Sequence, residues 1–385
     1  MSPPTADQPS RPRSPAARPV GAGRPTPWSR LTTLAVVLGA CVLVAVALGV
    51  GSWLGSRSDD RSGGRATGGD TTAPTGAPGE PPVEAPASSY LREAPPYVNP
   101  DSPAARAARI ARAEGRDDDA ALLEKAAAQG SARWLTTADH PDDVEQAVRD
   151  YAGAARAAGR TPVLVTYAIP DRDCGSESAG GFGASDYRTW AEGVARGLAG
   201  ARAVVVVEPD SLLQVYRCGD ADERFALLRE TSARYAAAGA EVYLDAGSSN
   251  SFGHAPDATA DMAQRLERAG VRDVAGFVTN VSNFQTSDDE RAYGHALAAL
   301  LDGARFVVDT SRNGNGPLRD DDGVVWCNPP GRALGDPPRV LDDGAHVADL
   351  WIKTVGLSDG RCNGGPPAGR YWEDHLLELA RNAAW

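Results

Sequence analysis

Five short apolar runs in this chain each give way, within a few residues, to an aspartate, and that repetition constrains the fold more than any other feature. Asp210 lies in Val-Val-Val-Val-Glu-Pro-Asp-Ser-Leu and Asp173 in Tyr-Ala-Ile-Pro-Asp-Arg-Asp-Cys-Gly. Asp245 follows Glu-Val-Tyr-Leu, Asp309 follows Arg-Phe-Val-Val, and Asp359 ends Trp-Ile-Lys-Thr-Val-Gly-Leu-Ser-Asp. Consecutive strands that deliver carboxylates at their C-terminal ends predict a parallel barrel with an acidic mouth, the face where such folds carry their chemistry.

Apolar, β-branched runs fall near 131–135, 162–168, 203–207, 241–245, 274–279, 305–309 and 348–353. Segments with helical spacing separate them near 141–158, 185–199, 222–239, 257–269 and 288–302, and a last helix is expected over 371–382. Such alternation implies βαβ units around a parallel sheet. Seven strands fit a slightly incomplete β/α barrel better than the standard eight. A doubly wound open sheet is the competing α/β fold, but no G-x-G-x-x-G follows the first strand and no Walker loop occurs. The stretch 311–346 is long, polar and rich in glycine and proline, and loops of that length in a compact domain are usually functional.

Residues 1–30 are rich in proline, arginine and serine and are expected to form a disordered tail. The uncharged apolar segment 31–54 is long enough to cross a bilayer, with Trp28 and Trp53 at its margins. Arginine is concentrated before it, which predicts a transmembrane signal anchor with a cytoplasmic N-terminus. A cleaved secretory signal and a lipoprotein site at Cys41 are the alternatives. Residues 55–95 read as a flexible linker, so the folded domain is expected over 96–385, outside the cell. The net charge of -12 argues against a nucleic-acid partner, because phosphate binding needs a basic stripe. Cys174, Cys218, Cys327 and Cys362 favour two disulfides in an exported domain. Three pairings are open; the sequential one would brace the loops that carry Asp173 and Asp359. No Cys/His cluster points to a metal, and no cofactor is expected.

Pro209 should end its strand and project Asp210 at the mouth. Asp210 then reads as a general acid kept protonated by burial and neighbouring carboxylates, or as the N-cap of a following helix. Asp173, in a Gly/Ser-rich loop beside Asp171 and Glu177, reads as a group that closes over substrate, or as an Asx-turn. Asp245 and Asp309 each read as a catalytic partner or, more simply, a structural acceptor, and Arg312 could pair with Asp309. Trp326 in the long loop reads as a sugar platform and Trp351 as core. Paired carboxylates around a sugar-sized cleft are the usual equipment for cutting glycosidic bonds.

Taken together, segments 167–175, 207–212, 243–247, 279–284, 309–317, 326–335 and 351–362 resemble glycoside hydrolase family 6, the inverting β-1,4-glucanases that include endoglucanases and cellobiohydrolases. The resemblance implies a distorted seven-stranded parallel β/α barrel with a cleft across its C-terminal mouth. It implies Asp210 as proton donor, and Asp173 as the aspartate that supports the donor's protonation and helps activate water. Asp359 matches the residue often proposed as catalytic base, and Asp245 the carboxylate that tunes the donor. Tyr167 matches the tyrosine that crowds the distorted sugar; Lys353, Trp326 and Asn283 match substrate-binding positions. The family's two disulfides fall on 174–218 and 327–362. No metal or cofactor is implied.

Two departures stand out. The family continues Leu-Asp-Ala-Gly with histidine and then a tryptophan; Ser248 and Ser251 hold those places here. Leu357 stands where the family has a glutamate two before the proposed base. The short loop between Cys327 and Cys362 predicts an open cleft and cutting within chains. The expectation is therefore an anchored, monomeric, outward-facing β-1,4-glucanase acting on β-glucan. The alternatives are a surface glucan-binding protein with weak or lost activity, and a hydrolase of another wall polysaccharide.

Overall fold

The structure, a computed structural model, describes residues 89–252 and 257–385. The expected tail and membrane anchor, and most of the linker, lie outside the described residues. Among the described residues, no helix is long and apolar enough to cross a membrane.

Helices α1 (Ser89–Glu93), α2 (Pro103–Ala113) and α3 (Asp117–Ala127) precede strand β1 (Arg133–Thr136). Strand and helix then alternate through α4 (Val144–Ala157), β2 (Val163–Tyr167), α5 (Ala184–Leu198), β3 (Val204–Val207), α6 (Ala221–Ala237) and β4 (Glu241–Asp245). The alternation continues with α7 (Ala258–Arg268), β5 (Gly276–Thr279), α8 (Ser287–Leu300) and β6 (Arg305–Asp309). A hairpin of β7 (Leu318–Asp320) and β8 (Gly323–Val325) leads to β9 (Arg339–Asp343), β10 (His346–Leu350) and the last helix α9 (Glu373–Asn382). The sequence pattern did not single out α2 and α3, although the signal for α2 is local. Ser102 caps it, accepting the Ala105 N–H at 3.2 Å, and Pro103 opens its first turn.

The main sheet has eight strands in the order β1-β2-β3-β4-β5-β6-β10-β9. Seven of them run parallel, as expected, but β9 adds an eighth, antiparallel to β10. The expected count of seven is therefore corrected to eight. β9 hydrogen-bonds the edge of β10 that a closed barrel would offer to β1. The sheet curls, and the residues flanking β1 and β10 meet at an isolated bridge between Ser131 and Trp351, with the Ala132 N–H donating to the Trp351 carbonyl at 2.9 Å.

Alternating strand residues explain the core. Val163, Val165, Val204, Val206, Tyr243, Val278 and Val307 pack inside the curl. Leu164, Val205, Val207, Val242, Leu244, Phe277, Phe306 and Val308 face the surrounding helices. Strands buried on both faces read as continuous apolar runs, which is why they were visible in the sequence. Trp351 is 1% exposed and packs with α2, α3 and α9, as its core reading required.

Candidate active site

The strand β3 ends in a strained turn. Glu208 and Asp210 both have left-handed backbones, at φ 47° and φ 67°. Strain of this kind persists only where the surroundings hold it. Here Glu208 is buried and its carboxylate accepts the backbone N–H groups of Ala168 and Ile169 at 2.8 and 3.0 Å and the Tyr187 hydroxyl at 3.1 Å. Glu208 thus pins the end of β2 to the end of β3, a role the sequence did not disclose. No helix follows Asp210; α6 begins at Ala221 and its cap is Asp220. The N-cap reading of Asp210 is therefore wrong, and its side chain faces the cleft instead.

Asp245, the last residue of β4, lies behind Asp210. Its Oδ2 accepts the Asp210 N–H at 2.8 Å, and its carboxyl is buried. Burial, followed by the nearby Asp210, pushes the Asp245 carboxyl up to about 8. Asp210 is pushed up to about 6, first by burial and then by Asp173, with Lys353 pulling the other way. A carboxyl raised to about 6 keeps its proton in mildly acidic solution and can donate it there to a leaving oxygen.

Asp173 sits on the loop after β2. Its Oδ2 accepts the Ser178 N–H at 2.7 Å and its Oδ1 the Gln214 side-chain amide at 3.2 Å. It therefore closes its own loop over five residues and also faces the cleft. The loop is tied down by the disulfide from Cys174 to Cys218 and by paired backbone hydrogen bonds between Arg172 and Gly180. Gly181 is required where the loop returns, because a Cβ there would lie 1.9 Å from the Ile169 carbonyl oxygen. The second disulfide joins Cys327 to Cys362, so the sequential pairing holds.

Asp359 is 8% exposed and doubly ion-paired. Arg312 Nη1 meets its Oδ2 at 2.9 Å and Lys353 Nζ its Oδ1 at 2.9 Å, with the Asn328 N–H donating to Oδ2 at 3.1 Å. Burial alone would raise this carboxyl, but the two cations hold it well below the usual carboxylate range. Arg312 thus pairs with Asp359, not with Asp309 as the sequence allowed. Asp309 is a bracket: its two oxygens accept the N–H groups of Ser282, Ser311, Ile352 and Lys353 at 3.0–3.1 Å. That satisfies the structural reading of Asp309.

These side chains surround one cleft of about 720 Å³. Asp173, Asp210, Asp359, Tyr167, Asn283, Trp326 and Lys353 all line it, as the sequence reading grouped them; Asp245 supports it from behind. Trp326, beside β8, is 51% exposed and free to present its ring. Trp134 was missed, because a tryptophan in the first strand is indistinguishable from core in sequence. It packs edge-on to Tyr167 at 5.3 Å and donates to the Ile352 carbonyl at 2.8 Å. Gln214, Ser282 and Gln285 also line the cleft without any prior signal. Ser248 and Ser251 line it too, and their hydroxyls lie 3.1 Å apart. Leu357 instead pairs through its backbone with Tyr371.

A curled parallel β/α sheet whose C-terminal mouth gathers a raised carboxyl, Asp210, and two further aspartates around one cleft has the acid–base equipment of a glycoside hydrolase. Comparisons with known proteins place it more closely. The model of "Glycosyl hydrolases family 6" matches residues 91–383, and the chain belongs to that family. It is 43% identical over 291 residues to endoglucanase A of Cellulomonas fimi, covering 75% of this chain and 61% of that protein. It is 42% identical over 289 residues to endoglucanase 1 of Streptomyces halstedii, covering 71% and 85% of the two. The endoglucanase Cel6 of Mycobacterium tuberculosis, solved with a methyl-cellobiosyl-thio-cellobioside, superposes with a TM-score of 0.71 at 42% identity, over 77% of this chain and 99% of that one.

Proposed function

We propose that this protein hydrolyses β-1,4-glucosidic bonds of cellulose or a related β-glucan, with inversion and within chains. The observation that carries the reading is Asp210 facing the cleft beside Asp173, with burial and the Asp173 charge raising its carboxyl to about 6. Asp210 would protonate the leaving oxygen. Asp359, with both oxygens engaged by cations, has little appetite for a proton; it keeps Lys353 and Arg312 in place. Asp173, which faces the same cleft and is held only by neutral N–H donors, would take the attacking water's proton through an intervening water. Tyr167, Asn283, Lys353 and Trp326 would hold the sugars, the indole against their apolar faces. The relatives named as endoglucanases and the short Cys327–Cys362 loop support internal cutting. The segment 31–54 and the two disulfides support an exported domain held at the cell surface, which membrane fractionation would test.

Reducing-end release from carboxymethylcellulose and barley β-glucan tests the activity. Asp210→Ala is expected to lower kcat/KM by about 10²–10⁴-fold, the span of general acid catalysis. Equal, background-level release by wild type and variant would favour a glucan-binding protein that retains the fold.

A further inference from the structure

The loops after β3 and β4 give the cleft a polar stretch of wall. They contribute Leu213, Gln214, Arg217, Ser248, Asn250 and Ser251, while its aromatic rings come from other elements. The rings nearest in sequence are engaged elsewhere. The Tyr216 hydroxyl accepts from Arg268 Nη1 at 2.7 Å, and Phe252 lies under the Arg265 guanidinium at 4.7 Å. Arg217 itself is exposed, one residue before the disulfide at Cys218. The charged side chains that line the cleft are three carboxyls, Asp173, Asp210 and Asp359, and three cations, Arg217, Arg312 and Lys353. Arg312 and Lys353 are both held by Asp359. Among the described residues, Arg217 has no ion pair and no side-chain hydrogen bond. Below pH about 6, where Asp210 keeps its proton, the lining cations outnumber the carboxylates by one. The cleft thus turns positive in a chain of net charge -12, and the spare charge is Arg217.

We propose that Arg217 is a specificity-determining residue that binds a carboxylate carried by a sugar of the glucan, so that the cleft favours an acidic β-glucan over a neutral one. This inference rests on the β-glucanase reading above. A guanidinium meets a carboxylate through two parallel N–H donors, a match that sugar hydroxyls do not offer. A local excess of positive charge also raises the concentration of anionic chains at the cleft. Ser248 and Ser251 put short polar side chains on the same wall, where a ring would instead grip an unsubstituted sugar face. Arg217 is exposed, so the pair confers a preference and not a requirement.

The test compares wild type, Arg217→Gln and Arg217→Glu on carboxymethylcellulose, the acid-bearing probe, and on hydroxyethylcellulose, its neutral counterpart. Arg217→Gln is expected to lower the ratio of kcat/KM on the first to that on the second by about three- to fivefold, the upper range for an exposed ion pair. Arg217→Glu should lower it further, by repulsion. Salt well above about 0.1 M, where the Debye length falls below about 10 Å, should bring the wild-type ratio towards that of Arg217→Gln. Affinity electrophoresis in the Asp210→Ala background reads recognition of both polymers without cleavage and should show the same selective loss. An unchanged ratio in both Arg217 variants overturns the proposal, and so does an equal loss on the two polymers, which would assign Arg217 to ordinary hydroxyls. A wild type that cleaves neither polymer overturns the glucanase reading. The acid site falls separately, if Arg217→Gln leaves binding of carboxymethylcellulose unchanged.

Discussion

Asp210 and Asp359 are the same residue type at the same mouth, and their surroundings shift their carboxyls in opposite directions. Asp210 works only while protonated, so activity should fall as pH rises through about 6. Asp173 is the nearby charge that contributes most to raising Asp210, so Asp173→Asn should move this alkaline limb to lower pH while lowering kcat. Its stability should change by no more than about 1 kcal/mol, because Asp173, Ser178 and Gln214 are half-buried and the substitution breaks no ion pair. Asp359→Asn should behave differently. It strands the buried Arg312 and Lys353 charges, and a broken buried pair costs about 3 kcal/mol or more. Urea unfolding of the two variants separates the roles: equal destabilisation would contradict them. Neither charge state is written in the sequence, since each depends on side chains that lie far from it along the chain.

Between elements, the strand ends are tied by buried carboxylates rather than by loop length. Glu208 joins the ends of β2 and β3, and Asp309 gathers N–H groups from the chain beyond β5, β6 and β10. Asp309→Ala would leave those donors buried and unpaired, at about 1–3 kcal/mol each before relaxation. Loss of at least about 3 kcal/mol in urea unfolding is expected, and a change below about 1 kcal/mol would sink the bracket. The seven parallel strands and the helices between them were legible because each strand is apolar on both faces and each helix repeats on its own period. The eighth strand was not. β9 reads Arg-Val-Leu-Asp-Asp inside a polar, proline-rich stretch, and only its pairing with β10 makes it a strand.

For the molecule as a whole, these carboxyls set opposing pH limits. Asp245 and Glu290 are raised, to about 8 and about 7, chiefly by burial. Their stabilisation is complete below the unfolded carboxylate range and is lost as pH rises through those folded values. Asp359 is depressed by its two cations, so its contribution is present above that range and lost as pH falls below it. Stability should therefore decline on both sides of a mildly acidic maximum. Glu290 is fully buried and its Oε1 accepts the Ser249 N–H at 2.8 Å. Glu290→Gln keeps an acceptor but cannot ionise, so its urea midpoint should fall less than wild type's between about pH 5 and about pH 8. An equal fall in both would show that Glu290 does not titrate on unfolding.

The chain's local pattern alone determined the β/α alternation, the carboxylates at strand ends and the even set of cysteines, because apolar periodicity and turn chemistry act over a few residues. Packing decided what those parts do. Which oxygen faces a cation, which carboxyl loses its water, and which strand edge is already occupied all depend on contacts between residues tens to hundreds of positions apart.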